Sequence, residues 1–349
     1  MKSREFPQAS VVVVNWNRQG YLHECLLSLV NQAGVNLEVI VVDNGSTDGS
    51  TQMVLREFVD PGRIFCRLIA NPDNRGFCAA NNQGIQLATS GFIALLNNDA
   101  VAEPGWLAAM AAILEERPDV GMIASKVLVH EDRRKIDKAG HLIYPDGQNR
   151  GRGSGEWDNG QYDAMEEVAW PDGCAAMYRK RMLDQIGGFD EDFFAYGDDA
   201  ELGLRARIAG WNCIYVPNAV VYHRRGATLG LGSGRRLELI ERNRVLLAAK
   251  LFPWSLLWLN GFYYSLRLLA GLYAAIRGRG EANRYPGWKG KLVMVGSLLK
   301  GDLSALKMLP RILAKRREIE RFQKLSPTEI RALLNRYRIP LRTLTQQAI

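Results

Sequence analysis

Six carboxylates fall within twelve residues of the segment GGFDEDFFAYGDDAELGLRARIAGW (Gly187 to Trp211), namely Asp190, Glu191, Asp192, Asp198, Asp199 and Glu201. Phe193, Phe194 and Tyr196 are interleaved with them, and a merely solvated acidic loop would leave those rings exposed without reason. Carboxylates held against apolar rings have raised pKa values and suit general-base work, which selects this segment for proton abstraction. Asp99 closes the triplet Asn97-Asn98-Asp99 after the apolar run Phe92 to Leu96. There an aspartate can ligate Mg²⁺ or Mn²⁺ bridging two phosphates, or simply cap a turn. Asp43 follows VIVV directly. Its carboxylate can accept the N3 hydrogen of a pyrimidine ring or a ribose hydroxyl, or it can form an Asx turn before the helix near Gly49, a task Ser46 or Asp48 could also fill. His223, one of four histidines, ends the apolar run Ile214 to Tyr222. A strand-end histidine is either structural or a remote ligand to the same ion.

These groups need a scaffold, and the first hundred residues supply its rhythm. Strands are predicted at Val11 to Val14, Leu37 to Val42, Arg67 to Ala70 and Phe92 to Leu96, and helices near Leu22 to Val30, Gly49 to Phe58 and Ala79 to Ala88. That alternation is the βαβ pattern of a mainly parallel, doubly wound α/β sheet. Ligands bind such sheets at the carboxyl ends of the strands. The polar clusters lie at those ends: Asn15-Trp16-Asn17, Asp43 to Ser46, Asn71 to Gly76, and Asn97 to Asp99. The pattern describes a nucleotide crevice. Beyond it, the Gly-rich stretch Tyr144 to Asp163 reads as a long mobile loop that could act as a lid.

The chain of 349 residues can bury one large core and carry an appendage. Its five cysteines, Cys25, Cys66, Cys78, Cys174 and Cys213, show no CxxC spacing, so they are expected to be small buried apolar residues rather than a disulfide framework or a thiolate zinc site. The apolar run near the amino terminus is too short for a signal sequence, so a cytoplasmic location is expected. The net charge of +8 is uneven: residues 1 to 276 carry 28 Lys and Arg against 32 Asp and Glu, whereas residues 277 to 349 carry 17 against 5. The basic character belongs to the tail.

Taken together, VVVVNWNR, VVDNGSTDGS, NRGFCAANNQGI, LLNNDAVAEPGWL, GGFDEDFFAYGDDAELGLR and VYHRRG resemble glycosyltransferase family 2, particularly its bacterial rhamnosyltransferase-like branch, over about residues 9 to 250. The resemblance implies a GT-A fold and inversion at the anomeric carbon. It implies that Asp43 binds the nucleobase, that Asp99 of the DxD-like triplet and His223 bind a divalent metal, Mg²⁺ or Mn²⁺, and that Asp199 is the base with Asp198 as its support. Asn15, Asn17, Asn74, Arg75, Gly76, Asn82, Asn97 and Asn98 would line the donor. Two positions depart from the family pattern: the triplet begins with Asn97 rather than Asp, and the usual Glu-Asp is Asp198-Asp199. The donor would be a dTDP- or UDP-sugar, with dTDP-rhamnose favoured by the branch. The acceptor would be a glycan or lipid-linked precursor of the cell envelope, and no nucleic acid is implied.

The expected division is a catalytic domain over 1–250, with a donor half about 9–125 and an acceptor half about 126–250, followed by a basic helical region over 251–349. Leu251 to Ile276 holds a single charge, Arg267, but Pro253 and Asn260 interrupt it. With its Trp and Tyr content and the basic residues that follow, it fits an interfacial helix on the anionic inner face of the cytoplasmic membrane, or a cap packed on the catalytic domain or on a second subunit of a homo-oligomer. Two rival functions fit the sequence less well. A sugar-phosphate nucleotidyltransferase would need a Gly-rich phosphate loop that VVVVNWNRQG lacks, and an inactive nucleotide-sugar or nucleic-acid binding module would not need Asp43, Asp99, Asp199 and His223 together.

Overall fold

A computed structural model of the chain describes residues 8–59, 65–226, 230 and 232–346. Residues 1–7, part of the segment read for a leader, and 227–229 and 231 lie outside the described residues. Four strands, β1 (Gln8–Asn15), β2 (Asn36–Asp43), β3 (Phe65–Ala70) and β4 (Phe92–Leu96), lie parallel in the order β3-β2-β1-β4. The helices α1 (Gln19–Val30), α2 (Ser50–Glu57) and α3 (Phe77–Leu87) connect them. Val11, Val12 and Val13 are all buried, as are Val39 through Val42. Both faces of these strands are covered, which is why they read as unbroken apolar runs. The crossover helix α3 packs tightly on β1, since a Cβ at Gly84 would come within 2.3 Å of Val12.

The chain continues through β5 (Ala100–Ala102), α4 (Trp106–Glu116), β6 (Val120–Val129), β7 (Ile136–Lys138), β8 (His141–Ile143), β9 (Asn149–Gly151), β10 (Glu166–Glu167), β11 (Ala175–Arg179), α5 (Lys180–Ile186), α6 (Asp198–Ile208) and β12 (Asn212–His223). Here the sheet turns mixed: β11 runs antiparallel between β4 and β6, and β12 lies parallel to β6. Short β5 pairs antiparallel with β12, setting Ala100 opposite His223. All five cysteines are buried and free, as their spacing implied.

The stretch Tyr144 to Asp163 is not the mobile lid its glycines suggested. Strand β9 pairs with β8, and the main chain beyond it is bonded at Arg152 to Gly140 and Ala139, at Gly155 and Glu156 to Ile136, and at Asp158 to Arg134. Lys126 Nζ clamps the same segment through Asp158 and Asp163, both at 2.7 Å. Gly147 and Gly153 adopt positive φ, so glycine there permits tight turns rather than motion.

The remainder is helical: α7 (Gly234–Leu251), α8 (Trp254–Ile276), α9 (Gly287–Ile319), α10 (Pro327–Arg336) and α11 (Leu341–Gln346). A close approach of α7 and α9 depends on Gly301, whose Cβ would lie 2.7 Å from the Glu238 carbonyl oxygen. The outward faces of α8 and α9 carry large apolar side chains in the open, including Trp258 at 85%, Ile276 at 77% and Trp288 at 70% exposure. Among the described residues no helix is long and apolar enough to cross a membrane.

Candidate functional site

The carboxyl ends of the parallel strands meet in a polar ladder. In register across β1 and β2, Asn15 donates from Nδ2 to Asp43 Oδ1 at 3.0 Å, and Asn98 Nδ2 donates to Asn15 Oδ1 at 2.7 Å. Asp43 Oδ2 accepts the Ser46 amide at 2.9 Å, and Asn17 Oδ1 accepts the Thr47 amide at 2.8 Å. Next to this, Asn74 Oδ1 accepts the Gly76 amide and Asn44 Nδ2 donates to the Gly76 carbonyl, fixing the turn that enters α3. Gly76 sits at φ 89°, and a Cβ there would come within 2.5 Å of the Phe194 ring. The position therefore lets the aromatic segment lie against the donor edge.

One cavity of about 740 Å³ opens at these ends. Of the residues expected to bind the donor, Asn74, Gly76, Asn97 and Asn98 line it, joined by Trp16 and Asn44. Asn15, Asn17 and Asp43 are not among its lining residues and hydrogen-bond within the loop Asp43 to Thr47 beside it, and Arg75 is exposed. Asn82 is turned to another task. Both ends of its amide engage the main chain of Phe189, with Nδ2 donating at 2.9 Å and Oδ1 accepting at 2.8 Å, so it secures the acidic segment to α3.

Asp99 and His223 are brought together by the pairing of β5 with β12. Nε2 of His223 lies 3.3 Å from Oδ1 of Asp99, a buried oxygen with no hydrogen-bond partner among the described residues. On the other side of the ring, Nδ1 meets Asp137 Oδ2 at 2.7 Å, and Asp137 is itself held by Arg225 Nε at 2.7 Å. Burial works against a charge on His223, but Asp99 and Asp137 outweigh it and lift the imidazole to about 10. An orphaned carboxylate oxygen beside an imidazole whose far nitrogen is fixed by a buried carboxylate is the donor arrangement of a metal site. The residues fit a divalent ion such as Mn²⁺ or Mg²⁺ that keeps most of its positions for substrate oxygens.

Asp198 and Asp199 begin α6, where the helix dipole favours negative charge. Both line the cavity. Asp199 Oδ1 accepts the Ala200 amide at 2.8 Å, while Oδ2 lies 3.4 Å from His141 Nε2. The same Nε2 is 2.8 Å from Asp172 Oδ2, which also pairs with Lys138. The environments separate the two acids. Burial and then the Asp199 charge push Asp198 well above the usual carboxylate range. Burial raises Asp199 too, with His141 and Lys138 working against the rise and Asp172 adding to it. Of the two, Asp198 is therefore the more strongly disfavoured as an anion. His141, Asp172 and Asp199 are close enough to surround an ion, with ligand atoms within 4.8 Å of one another, yet the Lys138 ammonium already meets that charge.

The remaining carboxylates of the acidic segment do a different job. Lys250 bridges Asp190 at 2.6 Å and Glu201 at 2.7 Å, and Lys315 reaches Asp190 and, at 2.7 Å, Asp192. They bind α7 and α9 to the catalytic half. Asp137, Lys138, His141 and Asp172, in contrast, carry no signal in the sequence: KIDKAGHL and WPDG have no motif spacing, and their partners are 31 to 88 residues away.

Comparison with known proteins gives the same picture from another direction. The family model described as glycosyl transferase family 2 matches residues 10–187, just over half of the chain. An O-antigen biosynthesis protein of Myxococcus xanthus is 28% identical over 72% of this chain, which spans 20% of that protein's length. An uncharacterized protein of Sinorhizobium fredii is 27% identical over 64% of the chain, which spans 25% of it. An N-acetylglucosaminyl-diphospho-decaprenol L-rhamnosyltransferase of Mycobacterium tuberculosis is 26% identical over 81% of this chain and 97% of its own. Among solved structures, a mannosyltransferase of Pyrobaculum calidifontis in complex with GDP-Man and Mn²⁺ superposes with a TM-score of 0.51 at 20% identity, covering 86% of this chain and 87% of that one. TarS of S. aureus gives 0.52 at 15% identity, with 95% of this chain and 55% of that one covered. The fold they share is the mixed sheet described above, with helices on its faces.

Proposed function

Because this chain belongs to glycosyl transferase family 2, has the GT-A fold and is a glycosyltransferase, we propose that it is an inverting, metal-assisted enzyme carrying a sugar from a nucleoside diphosphate to an acceptor hydroxyl. A nucleotidyltransferase or a dead binding module is thereby set aside. The observation that carries the reading is that a single cavity holds both the Asp99–His223 pair and Asp199.

In this reading Asp99 and His223 hold the divalent ion, which when bound neutralises charge on the departing diphosphate. Asp137 accepts the hydrogen bond of His223 Nδ1–H, so that Nε2 would be the ligating nitrogen once its own proton has left. Asn44, Asn74, Asn97 and Asn98 line the donor, while Asp43 and Asn15 brace the loops behind them. Asp199 takes the proton of the acceptor hydroxyl as its oxygen bonds to C1 and the C1 to phosphate-oxygen bond breaks on the opposite face. Asp198 keeps its own proton. General-base help of this kind is worth about 10² to 10⁴ in rate.

The named rhamnosyltransferase relative supports dTDP-rhamnose as donor and a lipid-linked envelope precursor as acceptor. The exposed apolar faces of α8 and α9, above a basic tail, support peripheral attachment to the cytoplasmic face of an anionic membrane, with residues 1–250 as the catalytic unit and 251–349 as its helical appendage. The test is a panel of nucleotide sugars assayed for Mn²⁺-dependent hydrolysis and thermal shift. Mn²⁺-dependent turnover of dTDP-rhamnose, abolished by EDTA, is expected; undiminished turnover in EDTA would refute the metal role.

A further inference from the structure

The segment Phe193 to Gly197, which leads into α6, is held in a backbone shape that its residues do not favour. Phe194 has φ 63° and ψ −61°, and the Ala195 amide donates to the Phe193 carbonyl at 2.7 Å. A bond closing over such a central residue makes a γ-turn of the rare, strained form. Tyr196 follows at φ 68°, a left-handed angle that costs free energy in any residue with a Cβ and most in a bulky one. Both residues stand directly before Asp198 and Asp199. Strain of this kind persists only where the surroundings over-determine it, and it clusters at functional sites.

Two neighbouring side chains of α7 supply the restraint. Asn243 is buried, and its Oδ1 accepts Arg242 Nε at 2.9 Å, which leaves Nδ2 for the turn. Nδ2 donates to three carbonyls, those of Phe193 at 2.9 Å, Ala195 at 2.9 Å and Tyr196 at 2.6 Å. An amide group with two hydrogens is thus committed wholly to this turn. Arg242 Nη2 adds bonds to the carbonyls of Asp192 at 3.1 Å and Phe193 at 2.7 Å. The Phe194 carbonyl accepts instead the Cys78 amide at 3.2 Å, in the first turn of α3, a helix whose N-cap Gly76 has no side chain to do so. The turn is therefore strapped to α7 on one side and to the donor edge on the other. Phe194, Ala195, Tyr196, Asp198 and Asp199 line the cavity, and Asn243 does not.

We propose that Asn243 is a positioning residue of the transfer reaction: by bonding the carbonyls of Phe193, Ala195 and Tyr196 it holds the strained turn that sets the start of α6, and with it Asp199, against the donor edge. Without that hold, Phe194 and Tyr196 relax toward negative φ, the peptide planes between them turn, and Asp199 leaves its place beside His141. A displacement of about 1 Å at a reacting group costs on the order of 10²-fold in rate. The inference rests on Asp199 as the base and adds the residue that places it; Asn243 itself acts only through the turn.

Asn243→Leu keeps the volume of the side chain and removes its donors. In Mn²⁺-dependent turnover of dTDP-rhamnose its kcat should fall at least tenfold, with the affinity for dTDP and Mn²⁺ within threefold of wild type. Amide hydrogen exchange, read without substrate, should quicken at least tenfold at Ala195 and Cys78 and stay unchanged in β1 and β2. Strain gives a second signature, because glycine takes a positive φ freely and alanine does not. In the Asn243→Leu background Tyr196→Gly should be at least fivefold more active than Tyr196→Ala, whereas with Asn243 in place the two should differ by less than threefold. Asn243→Ser, which keeps one donor, should fall between wild type and Asn243→Leu, and it carries the same measurements if Asn243→Leu does not fold. Unchanged exchange, a kcat within threefold of wild type despite faster exchange, or equal rates for the two Tyr196 substitutions in the Asn243→Leu background would each overturn the proposal. Asp199→Asn, assayed in parallel, tests the base reading separately: a near-normal rate there refutes the base, while the exchange data still report on the turn.

Discussion

Asp199 Oδ2 and His141 Nε2 stand 3.4 Å apart across the cavity floor, and His141 in turn touches Asp172 at 2.8 Å. The relationship gives Asp199 a positive neighbour that Asp198, one residue away, does not share.

Asp199→Asn should lower kcat by at least two orders of magnitude with nucleotide affinity nearly unchanged, whereas Asp198→Asn should cost less than tenfold. Steady-state rates with dTDP binding measured alongside decide the matter. Equal losses, or the reverse order, would exchange the roles of the two acids.

The pH dependence follows with a definite sign. His141 favours the ionised form of Asp199, so its removal raises the Asp199 pKa. The acid limb of the kcat profile in His141→Gln should move to higher pH. An unshifted limb with a uniformly lower plateau would mean that His141 only shapes the fold.

Asp137 touches neither donor nor acceptor in the proposed scheme, yet it fixes the ring of His223. Asp137→Asn should raise the Mn²⁺ concentration for half-maximal activity about 10- to 100-fold while saturating Mn²⁺ restores much of the rate. A Mn²⁺ activation curve indistinguishable from wild type would remove Asp137 from the metal site.

Lys250 is buried between Asp190 and Glu201. Lys250→Met leaves two buried carboxylates without their shared cation and should destabilise the chain by about 3 to 5 kcal/mol in urea unfolding. Acid weakens the same joint. Against burial, Lys250 and Lys315 hold Asp190 down to about 2, so its contribution is complete above an unfolded value near 4 and is lost as pH falls from about 4 to 2. That window is worth roughly 2 kcal/mol in the wild type and should be absent in Asp190→Asn.

Trp258 and Leu269 lie exposed on α8. The chain should float with vesicles containing anionic lipid, and Trp258→Glu with Leu269→Glu should leave it in the pellet with activity on a soluble acceptor intact. Rising salt should weaken flotation as headgroup attraction is screened. Flotation unchanged in the double variant would point to another face.

The sheet was legible where chemistry and periodicity coincided. Runs such as VVVV and VIVV are buried, and a polar residue ends each run, so β1 through β4 and the polar strand ends that include Asp99 could be read directly. Asp137 could not: it is one acid in KIDKAGHL until β7 pairs with β6 and β6 with β12, which carries it to His223. Composition misled where it was taken for mobility or for charge alone. The glycines of Tyr144 to Asp163 serve tight turns in a bonded segment, and four of the six clustered carboxylates lie outside the cavity, three of them paired with Lys250, Lys315 or Arg205.

The pairing of β5 with β12 also orders events in time. Asp99 is synthesised early, but its partner His223 arrives more than a hundred residues later, on the last strand to join the sheet. A chain still emerging from the ribosome therefore has the ends of β1 to β4 without the histidine that completes the Asp99 pair, and in the proposed scheme no metal site exists until the last strand of the sheet is made.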